Sequence, residues 1–188
     1  MDYTRIIQTA IETPWAILPG KLLAIQHLLT IRAAGERLTA DDVRAAVDAA
    51  APRRAPTVAG GVAVIPIVGT IIPRADMLSE SSGAVSVQSL TKQLRQALAD
   101  PEVGSIVLDI DSPGGQVSGV DELSTEIYNS RGQKPIRAVA NSLAASAAYW
   151  IASAADEVVV TPSGEVGSIG VLAMHEDIRS EEHTSELQ

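Results

Sequence analysis

The residues best placed to do chemistry in this 188-residue chain are Ser146, in the run Leu143-Ala144-Ala145-Ser146-Ala147-Ala148-Tyr149-Trp150, and the loop Asp111-Ser112-Pro113-Gly114-Gly115. Small neighbours leave the Ser146 hydroxyl reachable. A serine held on a strand-to-helix turn is the arrangement that presents a nucleophile for acyl transfer. The Gly114-Gly115 pair follows an apolar run and leaves backbone N–H groups uncovered by side chains, which is what an anion or oxyanion site requires. Together they suggest attack of a hydroxyl on a carbonyl, with the developing negative charge received by main-chain donors.

The flanking elements must hold these two pieces side by side. Residues 105–110 are short, apolar and β-branched, as in a buried parallel strand, and residues 135–141 (PIRAVAN) form a second such strand leading to Ser146. Ser146 then falls at or near the first turn of a helix running to about Ala154, where N–H groups and the macrodipole favour negative charge. Tyr149, Trp150 and Ile151 are expected to anchor that helix in the core. Residues 62–68 (VAVIPIV) start the sheet, with Pro66 indicating an edge or a bulge. Residues 69–83 read as loop. Val87, Leu90, Leu94, Ala97 and Leu98 repeat at helical spacing before Asp100-Pro101 stops them. A helix over 119–130 turns Val120, Leu123, Ile127 and Tyr128 inward, and 157–160 and 166–174 supply further strands, the first of them buried. This alternation predicts an α/β fold of right-handed βαβ units with a largely parallel sheet.

The organisation reads as a helical arm over 1–50, a linker over 51–60 marked by Pro52 and Pro56, and a core over 61–178. Within the arm, Gly35 ends one apolar segment, and Thr39 and Asp42 cap a second helix.

Composition removes several classes of function. There is no cysteine, so disulfides, thiol nucleophiles and thiolate metal sites are excluded, and three scattered histidines give no metal cluster. No cofactor is expected. The formal charge of −9 argues against nucleic-acid binding. Asp2, Arg5 and Glu12 interrupt any secretory signal, and the apolar stretch 16–31 is too short to span a bilayer, so a cytoplasmic protein without a membrane anchor is expected. The core lacks phenylalanine and must be built from Ile, Val, Leu and Ala.

Other polar residues have plainer readings. Asp109 and Asp111 share one strand face and read as strand-end and loop-forming groups. Ser168 reads as a turn hydroxyl, Lys134 as a solvated loop lysine, and His27 and His175 as structural histidines.

The motifs SPGG, AAS followed by small and aromatic residues, IASAAD and GSIGV keep an order and spacing over about 58–178 that resembles peptidase family S49, the group of signal peptide peptidase A and the phage prohead proteases. The opening PWAILP and the form AASAAYW look more like the phage capsid branch. The resemblance implies a Clp protease/crotonase-like superhelix, a serine endopeptidase acting through a Ser–Lys dyad, and a homo-oligomeric ring. It implies Ser146 as nucleophile, Gly114, Gly115 and Ala147 as main-chain oxyanion donors, and Ser112 as a turn residue. The partners implied are extended polypeptide substrates, phage scaffold or head proteins among them. Alanines follow Ser146 where cellular members have glycines, which bears on pocket shape. None of Lys21, Lys92 and Lys134 matches the family lysine, so the general base is expected to be missing.

Two other readings use the same residues: a noncatalytic capsid or scaffold subunit, and a crotonase-type acyl-CoA enzyme. The last ten residues, RSEEHTSELQ, match the in-frame translation of a sequencing adapter, so 179–188, including His183, are expected to be non-native. A core lacking its C-terminal elements would expose apolar surface and aggregate.

Overall fold

A computed structural model describes residues 13–36, 55–74 and 84–172. The described elements are β1 (Trp15–Ile17), α1 (Pro19–Ala33), β2 (Thr57–Ala59), β3 (Val62–Val68), β4 (Ile71–Ile72), β5 (Val85–Ser86), α2 (Val87–Ala99), β6 (Ser105–Ser112), β7 (Gly114–Gln116), α3 (Val120–Asn129), β8 (Ile136–Ala145), α4 (Ala147–Ser153), β9 (Glu157–Val160) and β10 (Glu165–Gly167). The expected second helix of the arm, His175 and the tail 179–188 lie outside the described residues.

The main sheet runs β10-β8-β6-β3-β2, with β9 also on β8. Every pair is parallel except β2 with β3. β6 shows strict alternation, with Ile106, Leu108, Ile110 and Ser112 buried and the intervening residues partly exposed, so one face carries the core and the pleat fixes the register. Pro66 is tolerated in β3 because β2 reaches only Val64, leaving that stretch of β3 an edge.

A second sheet, β1-β7-β4-β5, is made of two- and three-residue strands. The chain passes from the main sheet into it through Pro113, between the end of β6 and the start of β7.

Helices cover the core face as the apolar spacing requires. α2 is capped by Ser86, whose hydroxyl accepts from Ser89 N–H at 3.1 Å, and it buries Val87, Leu90, Leu94 and Ala97. α3 buries Val120, Leu123, Ser124 and Ile127. Alanines on both sides of the α4–β8 contact (Ala138, Ala140, Ala144, Ala147, Ala148, Ala152) are almost wholly buried, so a core without phenylalanine closes by bringing backbones together. Arg95 and Glu126 tie α2 to α3 across the surface with paired hydrogen bonds of 2.7 and 2.8 Å, and Glu126 holds the guanidinium above its ordinary pKa through that bond and its charge.

Several expectations change. The arm is not wholly helical: Trp15–Ile17 is a strand, flanked by Pro14 and Leu18-Pro19, and its backbone finds partners on two other segments. The last linker residues form β2, because the Gly60-Gly61 turn folds them back on β3. The stretch read as loop after residue 69 contributes β4 and β5. Strand β9 is not buried: Val159 and Val160 are 41% and 40% exposed, since β9 pairs only with β8 and nothing described covers it. The strand expected from 166 is confined to Glu165–Gly167, and Ile169 beyond it is 83% exposed. Tyr128 points outward and stacks on the Arg131 guanidinium, 4.4 Å from the ring centroid. Trp150 is also half-exposed; Ile151 and the alanines anchor α4.

Candidate active site

Ser146 sits between β8 and α4 as the helix N-cap residue, with φ 54° and ψ −114°. A side chain at positive φ outside the glycine-tolerant turns is strained, by about 1–3 kcal/mol for sparsely populated backbone regions. The strain falls on Ser146 itself, whereas Ala147 is the first helical residue and conforms easily. That resolves the alanine-for-glycine difference: the position after the serine does not need a glycine's freedom.

The end of β8 is set by an irregularity. Ile110 pairs with Ala140 and Ser112 with Ala144, so two steps along β6 match four along β8. The extra residues bulge out, with Asn141 and Ser142 exposed, and bulges commonly re-aim a strand beside a functional site. Three bonds stabilise it. Asn141 donates to Asp109 Oδ1 at 3.1 Å, and the Thr161 hydroxyl reaches the Asn141 and Ala140 carbonyls at 2.9 and 3.2 Å. Asp109 is therefore a bulge partner, with its carboxylate on a neighbouring amide side chain.

The GSIGV segment passes directly over the serine. Ser146 N–H donates to Gly167 O at 2.8 Å, and the hydroxyl donates to Gly170 O at 3.2 Å. Ser146 is 6% exposed.

Gly114 lies against the same turn. It has φ +96°, and a Cβ there would strike the Ala16 carbonyl oxygen while standing 3.0 Å from Ala145 O and 3.1 Å from Ala147 N. Glycine at this position lets three backbones converge. Gly115 is packed as tightly on its other side, where a Cβ would overlap the backbone of Ile71. The structure thus brings Ser146, Ala147 and Gly114 together, with Gly115 one step along β7. The Gly114 N–H donates to Ser112 Oγ at 3.2 Å, and Ser112, fully buried, donates to Gly69 O at 2.7 Å. Ser112 therefore fixes the turn. The Ala147 N–H, at the first helical position, has no intrahelical acceptor, and its nitrogen lies close to Gly114.

The lysines lie elsewhere. Lys134 is not a solvated loop residue: its ammonium donates to Ala97 O at 2.8 Å and Asp100 O at 2.6 Å, capping the C-terminus of α2. Lys92 is exposed on α2, and Lys21 is on α1. Arg131 was not singled out from the sequence, yet it caps the serine-bearing helix, donating to Ser153, Ala154 and Ala155 carbonyls at 3.1, 2.8 and 2.5 Å. Its position just past α3 was the available signal; its partners lie more than twenty residues away. Among the described residues no group of acidic and histidine side chains could hold a metal ion, and no helix is long and apolar enough to cross a membrane.

The chain is 41% identical over 124 residues to the head-tail preconnector protein GP5 of Enterobacteria phage P21, covering 66% of this chain and 25% of that protein. It is 38% identical over 153 residues to the capsid assembly protease C of Escherichia phage lambda, covering 78% and 35%. Protease 4 of Salmonella typhi is 35% identical over 116 residues, covering 61% and 18%. The chain spans about a third or less of the length of these relatives. Among solved structures, an enoyl-CoA hydratase/isomerase family member overlaps 60% of this chain and 48% of its own at TM-score 0.46 and 19% identity, below the level that establishes a common fold. The model of peptidase family S49 matches residues 129–183, a stretch that includes β8, Ser146 and α4. Through this stretch the chain matches peptidase family S49, and its relatives include a phage head-tail preconnector protein, a phage capsid assembly protease and Protease 4.

Proposed function

We propose that this chain carries the nucleophile half of a serine endopeptidase that cleaves phage scaffold or head proteins during capsid maturation, in the cytoplasm of an infected bacterium. The observation that carries the reading is the backbone of Ser146, strained on a strand-to-helix turn with Gly114 and the Ala147 N–H beside it. Strain of this kind persists only where the surrounding structure enforces it, and it holds the hydroxyl at a fixed point relative to nearby donors.

In this reading Ser146 Oγ attacks the scissile carbonyl, and the oxyanion is received by the Ala147 N–H with that of Gly115, or with that of Gly114 once it turns from its bond to Ser112 Oγ. Removal of one such donor typically costs about 3 kcal/mol of barrier. A serine hydroxyl needs a base, and a lysine kept neutral by desolvation is the family's way of supplying one. Neither the capping Lys134 nor the exposed Lys92 suits that role, and Lys21 lies on the arm helix, so the base is proposed to be a lysine outside these three. Homo-oligomerisation would exclude water from the dyad. The relatives named as a head-tail preconnector and a capsid assembly protease support the phage assignment.

The test is to resequence the locus past the codon for Ile178, express the complete gene product beside its Ser146→Ala form, and assay peptide cleavage. Cleavage that requires Ser146 and a further lysine supports the reading; cleavage that survives Ser146→Ala overturns it.

A further inference from the structure

Residues 13–18 (TPWAIL) lie as an extended strand held on both edges. On one edge β1 runs antiparallel to β7, with Ala16 opposite Gly115; Leu18 N–H donates to Pro113 O at 3.0 Å and Val117 N–H to Pro14 O at 3.2 Å. On the other edge Trp15 and Leu172 exchange two hydrogen bonds, 2.9 and 2.7 Å long. The segment therefore fills a slot between Gly114–Gln116 and the end of the GSIGV segment, the two stretches that flank Ser146.

Its side chains divide as a strand's must. Trp15 and Ile17 pack with Leu22 in a small cluster of their own, whereas Ala16 belongs to the main core. The Ala16 carbonyl lies against the Gly114 Cα, in the same narrow space as the Ala147 N–H. The other edge of β7 is taken by β4. A polypeptide aligned by strand addition along Gly114–Gln116 has to replace β1, and with β1 in place Ser146 is almost sealed.

Resting on the reading of Ser146 as nucleophile, we propose that this slot is the binding site for an extended polypeptide with a small side chain at its central position, and that residues 13–18 fill it as a competing internal strand. Substrate enters only when the segment leaves. The small central residue follows from Ala16, which is buried in the main core, while the flanking positions enter the minor cluster and accept large apolar residues, as Trp15 and Ile17 show.

Release of the segment is tested by amide exchange on the intact chain. The Val117 and Leu172 amides, bonded to the segment, are expected to exchange at least 100-fold faster than that of Ile106, bonded to Pro135 O within the main sheet. Exchange of all three at one rate means that the strand leaves only on global unfolding, and overturns the proposal. Occupancy is tested on a chain lacking residues 1–18: a synthetic TPWAILP peptide should restore slow exchange at Val117 and Leu172, and its variant with tryptophan for the alanine should bind at least 10-fold more weakly. A folded truncated chain that ignores the peptide, or one that binds both peptides equally, also overturns the proposal. Ala16→Pro in the intact chain covers the case in which truncation prevents folding: it should speed exchange at Val117 and Leu172 and leave Ile106 protected, and equal acceleration at all three counts against it. Fluorophosphonate labelling of Ser146 in the complete gene product, where the proposed base is present, separates this from the catalytic reading. Labelling at least 10-fold faster when residues 1–18 are removed from that product supports both; absence of labelling in it with or without those residues, with the exchange and peptide results as expected, removes the nucleophile and leaves the strand slot standing.

Discussion

Replacing Ser146 with glycine should make the protein more stable than replacing it with alanine. Both changes remove the hydroxyl and its 3.2 Å bond to Gly170 O, so that loss cancels in the comparison. What remains is the backbone at φ 54° and ψ −114°. Alanine keeps the strain of about 1–3 kcal/mol, and glycine relieves it. Glycine's greater freedom in the unfolded chain returns about 0.5–1 kcal/mol of that. The net expectation is that Ser146→Gly exceeds Ser146→Ala by about 0.5–2 kcal/mol, and each kcal/mol should appear as a rise of about 2–4 °C in Tm for a chain of this size. Paired urea titrations and thermal melts measure it. A glycine form no more stable than the alanine form would show that the turn is unstrained, and would remove the observation on which the catalytic reading stands.

Three further outcomes follow from the same geometry. Gly115→Ala should destabilise by about 2 kcal/mol or more in urea titration, because the added methyl overlaps the Ile71 backbone, which cannot yield as a side chain would. Lys134→Met should cost about 1–2 kcal/mol by releasing the Ala97 and Asp100 carbonyls, with cleavage by the complete protein unchanged. The exposed Val159, Val160, Val166, Ile169 and Val171 should make the 188-residue chain associate as its concentration rises, and light scattering should fall when Ile169 and Val171 are changed to threonine.

The parts of the fold legible in the sequence were those with a period. Val87, Leu90, Leu94 and Ala97 marked α2 and are its buried residues, and the apolar run ending at SPGG is β6. The junction holding Ser146 could be placed because a strand, small residues and a helix follow one another there. Three features had no local signature. Trp15–Ile17 is a strand only because Gly114–Gln116 and Leu172 offer it edges, the first 97 to 101 residues further on and the second 157 beyond Trp15. The β8 bulge depends on a register against β6 that Asn141 and Ser142 do not announce. Lys134 and Arg131 look like surface cations, and their acceptors are main-chain carbonyls, which every residue has and none advertises. The backbone of Ser146 was equally hidden: nothing in AASAA distinguishes a strained serine from a relaxed one.

Arg131 and Lys134 stand three residues apart in the turn after α3, and each closes the C-terminal end of a different helix, α4 and α2. The Arg131 bonds form only when α4 has docked beside this turn, and the Lys134 bonds only when α2 has. The turn therefore couples their unfolding: the last turns of α2 and α4, which would ordinarily fray, can open only by releasing a cation that also belongs to the loop leading into β8. The helix that follows Ser146 is thereby tied to the turn after α3, while the strand Trp15–Ile17 is held by edge bonds and by its own small cluster with Leu22. In the proposed reading, a rigid nucleophile beneath a separable cover is a division of stability within a single chain.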